Sequence, residues 1–410
     1  MTELFQDIAR FFTSIRHFFF LPLLLFAGNF HQALDKHDSD WKHEPDFTFL
    51  YKPVVSFNPE YAEYIEHEID HALKRRGFNG SVMVAHNGKA VYNKSRGYAH
   101  RNARIEFRES DNIFQLASVS KQFTAIAVLM LYERGFIDLD DHVYKHIKGF
   151  PYEEITIRHL LNHTSGLQNY MYLFDNYWRE DRLPGFDDML DLMINKSLPL
   201  NFTPGRRFSY SNTGYAFLAM LVEKVSGESF AAFMRNNVFE PLGMHNSFVF
   251  EPHMNMSHAQ TRGVAAGHER SGRYTRIIPV DHVDGITGDK GIYSTTEDLL
   301  KWDNALEMNI LLSEESLQLA FERGRLRSGY VLNYGFGFRL QKKDNEDIMY
   351  HHGWWRGFRT SYVRLPDQTL IVILNNTNAS INGLDRQLQN IMNRSPYPRF
   401  IDKEEMLATN

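Results

Sequence analysis

The sequence predicts an α+β fold: an antiparallel β-sheet built from both ends of the chain and flanked by helices, with a helical lobe inserted between its two parts. A helix pattern and a β-hairpin pattern come first, within residues 59–97. A second hairpin pattern stands near the other end, where TSYVRL and TLIVIL flank a turn at residues 366–368. The chain between the hairpins is mostly helical in pattern, with loops rich in Gly and Pro.

The composition fits a packed soluble enzyme. Hydrophobic residues make up 43% and aromatic residues 14% of the 410 residues, which is enough for a large core. The net charge of -5 comes without a concentrated run of Lys and Arg, so nucleic acid is not expected as a partner. The chain has no Cys, which removes disulfides, thiolate metal sites and a Cys nucleophile from consideration.

The N-terminus has the features of a secretory signal. Phe18 to Ala27 form an unbroken apolar run of 10 residues, preceded by Arg10 and Arg16, whereas a membrane span needs about 20 apolar residues. We therefore predict that residues 1–28 are a signal peptide, or an N-terminal anchor if uncleaved, and that the protein is exported to a periplasmic or extracellular location. Membrane association is expected only through this segment. Acidic residues near the start weaken the pattern and leave a buried or peripheral amphipathic segment as the alternative.

An amphipathic helix is predicted over residues 59–76, after a polar linker over 29–58 that is interrupted by Pro. The helix carries His-Glu-x-x-His over residues 67–71, which is a signature of many zinc proteases. On a helical wheel His67 and His71 lie opposite the apolar stripe and face solvent, where neither a third ligand nor a dry cavity is expected. We therefore predict no metal site here. The apolar stripe consists of Tyr61, Ile65, Ile69, Ala72 and Leu73.

Strand patterns on both sides of the helical region define the predicted domain. Val82, Val84 and Val91 alternate around Asn87-Gly88, which is typical of a two-residue hairpin. YGFGFRL and DIMYHHG add strands before the C-terminal hairpin. The domain is predicted to span residues 59–385, with a sheet lobe at about 59–137 and 283–385, a helical lobe at about 138–282, and a C-terminal tail at 386–410.

A second helix, predicted over residues 116–135, begins with a candidate nucleophile and base. The residues from Phe123 to Leu131 are apolar almost all round, so the helix is expected to be buried. Ser118 and Lys121 share one face at its N-terminus, where free backbone N–H groups can stabilise an oxyanion. A Lys can activate a hydroxyl when burial lowers its pKa by about three units, toward neutrality.

Ser-x-x-Lys alone is a weak signal, because Ser39 and Lys42 also match it in the polar linker. On these residues alone, Ser118 as a helix cap and Lys121 as a surface residue remain open. Further motifs are needed to decide.

Two further motifs add groups of the required kind. Tyr210 and Asn212 form the single Tyr-x-Asn of the chain and can supply a proton relay and an amide that holds the Lys; the pattern is also typical of a turn. HHGWWRGF, starting at His351, has glycines that let a substrate approach the backbone. Its alternative interpretation is a strand end with aromatic packing.

Together these motifs resemble the three active-site motifs of the serine β-lactamase and penicillin-binding-protein superfamily, and more specifically its class C β-lactamase-related branch. The similarity covers about residues 60–380 and implies a β-lactamase/transpeptidase-like fold. Family landmarks agree at LLNHTSGL (160–167), PGRRFSYSNTGY (204–215), PLGMHNS (241–247) and GDKGIYSTTEDLLKW (288–302). The three motifs are Ser118-Val119-Ser120-Lys121, Tyr210-Ser211-Asn212 and His351-His352-Gly353.

The resemblance implies an acyl-enzyme mechanism without a metal or organic cofactor. Ser118 attacks a carbonyl, and Lys121 and Tyr210 share the general-base and general-acid work. The backbone N–H groups of Ser118 and Trp354 are implied to hold the oxyanion. The implied substrate-binding residues are Asn212, His351, Gly353 and Trp354.

One departure from the family pattern bears on the substrate. Relatives that bind a substrate carboxylate usually carry Lys-Thr-Gly as the third motif, whereas His351 replaces the Lys here. A His with a pKa of about 6.5 is mostly neutral at pH 7 and anchors an anion poorly. Arg356 or Arg359 can restore a cation if either points into the site. His163, in the first landmark, is expected to be a structural loop residue, with a catalytic role as the alternative.

We therefore expect a serine hydrolase acting on a small-molecule ester or on a peptide, cell-wall peptides included, rather than a dedicated β-lactamase. The alternative is a non-catalytic relative that binds cell-wall peptides or a partner protein.

Overall fold

Strands from both ends of the chain meet in one six-stranded sheet in which every neighbouring pair is antiparallel. The order across the sheet is Arg339–Lys343, Glu346–Trp355, Phe358–Arg364, Thr369–Asn375, Gly80–His86 and Lys89–Arg96. The computed structural model describes residues 56–254, 263–271, 274–343 and 346–401. The strands are β1 (Gly80–His86), β2 (Lys89–Arg96), β3 (Tyr98–His100), β4 (Ile105–Glu106), β5 (Phe114–Gln115), β6 (Phe248–Val249), β7 (His268–Ser271), β8 (Tyr274–Ile277), β9 (Ile292–Ser294), β10 (Arg339–Lys343), β11 (Glu346–Trp355), β12 (Phe358–Arg364) and β13 (Thr369–Asn375).

Helices cover both faces of the sheet and fill the insertion between its two parts. They are α1 (Pro59–Arg76), α2 (Ser120–Glu133), α3 (Ile157–Leu161), α4 (Tyr170–Tyr177), α5 (Phe186–Asn195), α6 (Asn212–Ser226), α7 (Phe230–Met234), α8 (Thr296–Glu307), α9 (Glu314–Phe321) and α10 (Leu384–Asn393). Short 3-10 helices occupy Ala117–Val119, Val143–Lys145 and His282–Asp284, and a π-helical turn occupies Arg235–Phe239. The predicted α+β fold class is confirmed. Among the described residues no helix is long and apolar enough to cross a membrane.

Side chains of the central strands point alternately to the two faces of the sheet, and both faces are buried by helices. In β1, Val82 and Val84 point to one face, and Met83 and Ala85 point to the other. The first face packs against α1 and α10, and the second packs against the helical core around α2. The cluster on the first face contains Tyr61, Ile65, Ile69, Leu73, Val82, Val84, Ile371, Ile373, Leu384, Leu388 and Met392.

Helix α1 forms as its sequence predicts. Asn58 caps its N-terminus by accepting from the N–H groups of Glu60 and Tyr61, and Gly77 ends it in the left-handed conformation with φ of 60°. The predicted apolar stripe is buried, and His67 and His71 are exposed on the opposite side. In the part of the chain that the structure describes, no three His, Asp or Glu side chains are placed to share a metal ion.

Several sequence expectations need correction or lie outside the described residues. The expected C-terminal tail from residue 386 instead begins within α10, which packs on the sheet beside α1. The predicted strand at 334–340 starts only at Arg339, because Gly335 and Gly337 lie in a loop that presses against α9 and α2. The predicted signal segment, residues 1–28, and most of the linker lie outside the described residues.

Helix α2 runs through the second core and sets the position of the site. Every residue from Ser120 to Leu131 is buried. The ring of Phe123 stacks on that of Trp302 with centroids 4.0 Å apart. A Cβ on Gly337 would lie 2.7 Å from the Lys121 carbonyl oxygen, so only a glycine lets this loop pack on the first turn of α2. The start of α2 is therefore held rigidly.

Candidate active site

Ser118 lies in the 3-10 turn that leads into α2, and its side chain is half-buried. The residue before it, Ala117, has φ of +50°, which is strained for a residue with a Cβ. Leu116 fixes this turn from both sides: its N–H donates to the Ile292 carbonyl at 2.8 Å, and its carbonyl accepts from the Thr360 hydroxyl at 2.7 Å. The strained turn presents the hydroxyl at a fixed place on the edge of the core.

Lys121 points from the first turn of α2 into a completely buried polar pocket. Its Nζ lies 3.2 Å from Ser118 Oγ, 2.8 Å from Asn212 Oδ1 and 2.7 Å from the carbonyl oxygen of Asp289. The amide and carbonyl oxygens can only accept hydrogen bonds. A neutral amine has two protons for these two acceptors, and its lone pair is then left for the Ser118 hydroxyl.

Burial lowers the pKa of Lys121 to about 7. The charge of Asp289 opposes this shift, and the guanidinium of Arg339 adds to it. A substantial share of the lysine is therefore neutral near pH 7, as a general base must be.

Tyr210 lies two residues before α6, and the centroid of its ring is 4.9 Å from Lys121 Nζ. Burial raises the pKa of Tyr210, and the Ser118 side chain and Arg339 partly offset the increase. The Tyr210 hydroxyl is close enough to Ser118 for the serine to lower its pKa. It nevertheless makes no hydrogen bond of ordinary geometry with any described residue. Tyr210 therefore keeps its proton at neutral pH and has it available for donation.

His163 packs against the ring of Tyr210 and binds the backbone next to it. The two rings lie 4.3 Å apart, and His163 Nδ1 accepts from the N–H of Ser211 at 3.1 Å. The His163 carbonyl also accepts from the N–H of Ser209 at 2.9 Å. Burial holds the pKa of His163 well below its usual value. The neutral ring thus fixes the main chain around Tyr210.

Asn212 is the first residue of α6, so the N-terminus of a second buried helix points into the site. The preceding Ser211 caps this helix through a hydrogen bond from the Gly214 N–H, 3.1 Å long. This cap fixes the position from which Asn212 holds Lys121.

Strand β11 brings the third motif beside Ser118. A Cβ on Gly353 would lie 2.3 Å from Thr360 Oγ1 and 2.5 Å from the Leu116 carbonyl oxygen. A glycine is therefore required for the strand to approach the turn that carries Ser118. Trp354 follows, with its side chain 66% exposed and the Arg359 guanidinium 4.8 Å from its ring. The role that the family resemblance implies for Trp354 belongs to its backbone N–H and not to this exposed indole.

The His351 side chain is buried, which does not fit the substrate contact predicted for it. Its ring is buried, with Nε2 3.2 Å from the Tyr334 hydroxyl and Nδ1 2.9 Å from the carbonyl oxygen of His352. Burial, with Lys121 and Arg339 nearby, lowers its pKa well below the usual value. The neutral ring packs 6.1 Å from that of Tyr210 and cannot anchor an anion.

The arginine that lies near Lys121 and Tyr210 is Arg339, and neither of the two arginines that the sequence suggested does so. Arg356 is engaged by Asp281 and Asp284, and Arg359 covers Trp354. The guanidinium of Arg339 lies 5.2 Å from the ring of Tyr210, and among the described residues no carboxylate forms an ion pair with it. The signal available was a lone charge at the end of the apolar run YGFGFRL.

Comparison with known proteins agrees with this geometry. The family model described as Beta-lactamase matches residues 65–391. The chain belongs to the Beta-lactamase family. The resemblance drawn from the ordered motifs is thus confirmed, and the family is one of serine hydrolases and penicillin-binding proteins.

Named relatives place the chain near penicillin-binding proteins and peptidases. It is 36% identical to "Penicillin-binding protein 4*" of Bacillus subtilis, over 74% of this chain and 69% of that protein. It is 25% identical to "D-aminopeptidase" of Gluconobacter oxydans, over 73% of this chain but only 55% of that protein. The crystal structure of a penicillin-binding protein from Bacillus halodurans superposes with a TM-score of 0.67 at 25% identity, covering 79% of this chain and 98% of that one.

Proposed function

We propose that this protein is a serine hydrolase that cleaves an ester or amide bond through an acyl-enzyme on Ser118. The observation that supports this most directly is the placement of Lys121: a buried amine with a pKa of about 7 lies 3.2 Å from the Ser118 hydroxyl. A purely structural lysine has no need of such a position, because burial of an amine costs stability.

The surrounding groups divide the proton transfers. Lys121 takes the proton of the Ser118 hydroxyl as its oxygen attacks the substrate carbonyl. Tyr210, whose raised pKa keeps it protonated, donates its proton to the leaving oxygen or nitrogen as that bond breaks, and regains a proton from Lys121. The backbone N–H groups of Ser118 and Trp354 stabilise the oxyanion, and water then releases the acyl group by the reverse sequence.

The substrate class we propose is a peptide or ester whose leaving group carries a carboxylate. Arg339 supports this, because its guanidinium lies on the ring of the proposed proton donor and has no ion-pair partner among the described residues. Similarity to a D-aminopeptidase and to penicillin-binding proteins favours peptides with D-amino acids, such as cell-wall peptides. A dedicated β-lactamase activity is not part of the proposal.

Export is proposed on the apolar run at residues 18–27 alone. Cell fractionation with and without residues 1–28 tests it, and retention of the intact chain in the cytoplasm would contradict it.

Covalent labelling tests the nucleophile. The parent, Ser118→Ala and Ser120→Ala are treated with a fluorophosphonate and with a penicillin. We expect loss of labelling in Ser118→Ala and retention in Ser120→Ala, since the Ser120 hydroxyl is buried and accepts from the Ile292 N–H at 3.2 Å. Equal labelling of the parent and Ser118→Ala would reject the nucleophile, and no labelling of the folded parent would favour the non-catalytic binding protein.

A substrate panel then separates activities. p-Nitrophenyl esters, nitrocefin and peptides ending in D-Ala-D-Ala are compared by kcat/KM. Turnover of nitrocefin far above that of every ester and peptide would overturn the proposed substrate class.

A further inference from the structure

A buried charged cluster lies directly behind Lys121 and has no part in the proton transfers described above. Asp289 and Lys290 adjoin each other in the loop before β9, with side chains 1% and 3% exposed, and Lys290 Nζ lies 3.6 Å from Asp289 Oδ1. Tyr170, the first residue of α4, bridges them: it accepts from Lys290 at 2.6 Å and donates to the carboxylate at 3.2 Å. Charged side chains are rarely buried without such partners.

Asp289 contacts both buried lysines, through different atoms. Its carboxylate faces Lys290, and its backbone carbonyl accepts from Lys121 at 2.7 Å. Two flanking glycines hold this loop in place. A Cβ on Gly288 would lie 2.4 Å from the Ala219 Cβ, and one on Gly291 would lie 2.7 Å from Thr287 Cγ2. The Asp289 carboxylate is held by Lys290 and Tyr170, while its backbone carbonyl faces Lys121.

In the described part of the chain, Lys121 has one carboxylate near it, which it shares with Lys290. Among the described residues, Asp289 is the one acidic group that acts on Lys121. The other groups close to Lys121, or acting on it through their charge, come from several elements: Ser118, Tyr210, Asn212 and Tyr215, the neutral rings of His163 and His351, and the cationic Arg339. Lys290 also has Asp284 nearby and the ring of Trp355 at 4.9 Å.

We propose that the Asp289–Lys290 ion pair, bridged by Tyr170, confines the positive charge to Lys290 and so leaves Lys121 neutral to act as the base toward Ser118. The inference rests on the proposed function and names positioning residues for that site. Burial lowers the pKa of both lysines, but Asp284 raises that of Lys290 while Arg339 lowers that of Lys121. The direct hydrogen-bond partners of Lys121 are all uncharged, so the geometry by itself also favours placing the positive charge on Lys290 and leaving Lys121 neutral.

The test is the pH dependence of fluorophosphonate labelling at Ser118 in the full chain. In Lys290→Met the Asp289 carboxylate has no counterion except Lys121, so the pKa of Lys121 rises. The acidic limb of the profile is the range in which the labelling rate falls as the pH decreases. We expect this limb to shift to higher pH by about one unit or more. Asp289→Asn removes the charge that raises this pKa and should shift the limb to lower pH. The double variant restores the balance and returns the limb close to that of the parent.

Matched variants separate this role from simple structural support. Lys224→Met removes a surface lysine that pairs with Asp187 at 2.9 Å and should leave the limb in place. Tyr170→Phe removes only the bridging hydroxyl and should move the limb upward by less than Lys290→Met does. It decides the question if Lys290→Met does not fold.

The possible failures are distinguishable. Lower rates in the Lys290, Asp289 and Tyr170 variants with the limb unmoved would overturn the charge allocation while leaving the Ser118 mechanism intact. Absence of labelling in the folded parent would instead overturn the proposed function.

Discussion

The start of α2 and the outer face of α1 each present two reactive side chains about one helical turn apart. Ser118 and Lys121 lie at a buried helix start, where Lys121 has three fixed partners and a pKa lowered to about 7. His67 and His71 stack with ring centroids 6.5 Å apart, and the His67 side chain is 77% exposed. The sequence spacing is similar in the two pairs. They differ in burial and in whether further side chains or backbone groups hold the reactive residues in place. Chemistry depends on those two conditions, since solvent screens charges, whereas burial and fixed partners shift the pKa of a group such as Lys121.

The largest expected effect is the loss of Lys121. Lys121→Met keeps the volume and removes the base, so fluorophosphonate labelling of Ser118 should slow by about 100- to 10,000-fold. Lys121→Arg should be as slow, because an arginine keeps its proton at any usable pH. The labelling rate measures both, with circular dichroism as a check on folding. More than a tenth of the parent rate in folded Lys121→Met would show that another group is the base.

Next in size is the effect of Gly353→Ala, which tests how closely β11 must approach Ser118. The added methyl would meet Thr360 Oγ1 and the Leu116 carbonyl oxygen, so the strand or the nucleophile turn must move. A displacement of about 1 Å in an active site typically costs about 100-fold in rate, and we expect a loss of that order in kcat/KM.

Gly185→Ala is the matched control for this substitution. A Cβ there would come no closer than 3.8 Å to Asp188 Oδ2, so activity should stay near that of the parent. Full activity in Gly353→Ala would mean that β11 does not shape the reacting geometry.

Sequence patterns were sufficient for elements whose determinants are local. The stripe and caps of α1 and the first hairpin follow from short-range spacing, and the three ordered motifs identified the family. The helical spacing of Leu384, Leu388 and Met392 was also available for α10, but it fell across the expected start of a tail.

The charge distribution of the site was not predictable in this way. Lys290 meets Tyr170 across 120 positions of sequence, and no local pattern encodes that contact. Arg339 reaches Tyr210 from the first residue of β10, after a loop that the sequence predicted as strand. The pKa of Lys121 is set by burial and by the charges of Asp289 and Arg339, which lie far from it in sequence, so a motif can name the base without showing that it is neutral.

A smaller and selective effect is expected for Arg339→Met. Hydrogen bonds to a charged group contribute about 1.5 to 3 kcal/mol, so kcat/KM for a peptide ending in a free carboxylate should fall by about 10- to 100-fold. An uncharged p-nitrophenyl ester should change by less than about threefold. Measurements belong above pH 8, since Arg339 lowers the pKa of Lys121 and its removal moves the acidic limb upward.

Arg359→Met is the matched control, because that guanidinium lies on the exposed ring of Trp354 instead. Equal losses on the charged and uncharged substrates would argue that Arg339 supports the fold of the site and does not bind a carboxylate.

The smallest effect is expected where a sequence signature is most familiar. His67→Ala with His71→Ala should leave kcat/KM within about twofold of the parent and change the free energy of unfolding by less than about 0.5 kcal/mol, as is usual for exposed positions. Ile69→Ala, on the buried side of the same helix, should destabilise by about 2 to 5 kcal/mol, because it opens a cavity against the sheet. Denaturant unfolding measures both. Loss of activity in the double His variant, matched by loss of activity when a chelator is added to the parent, would place the chemistry on α1 and would refute the argument that burial, rather than motif, selects the reactive pair.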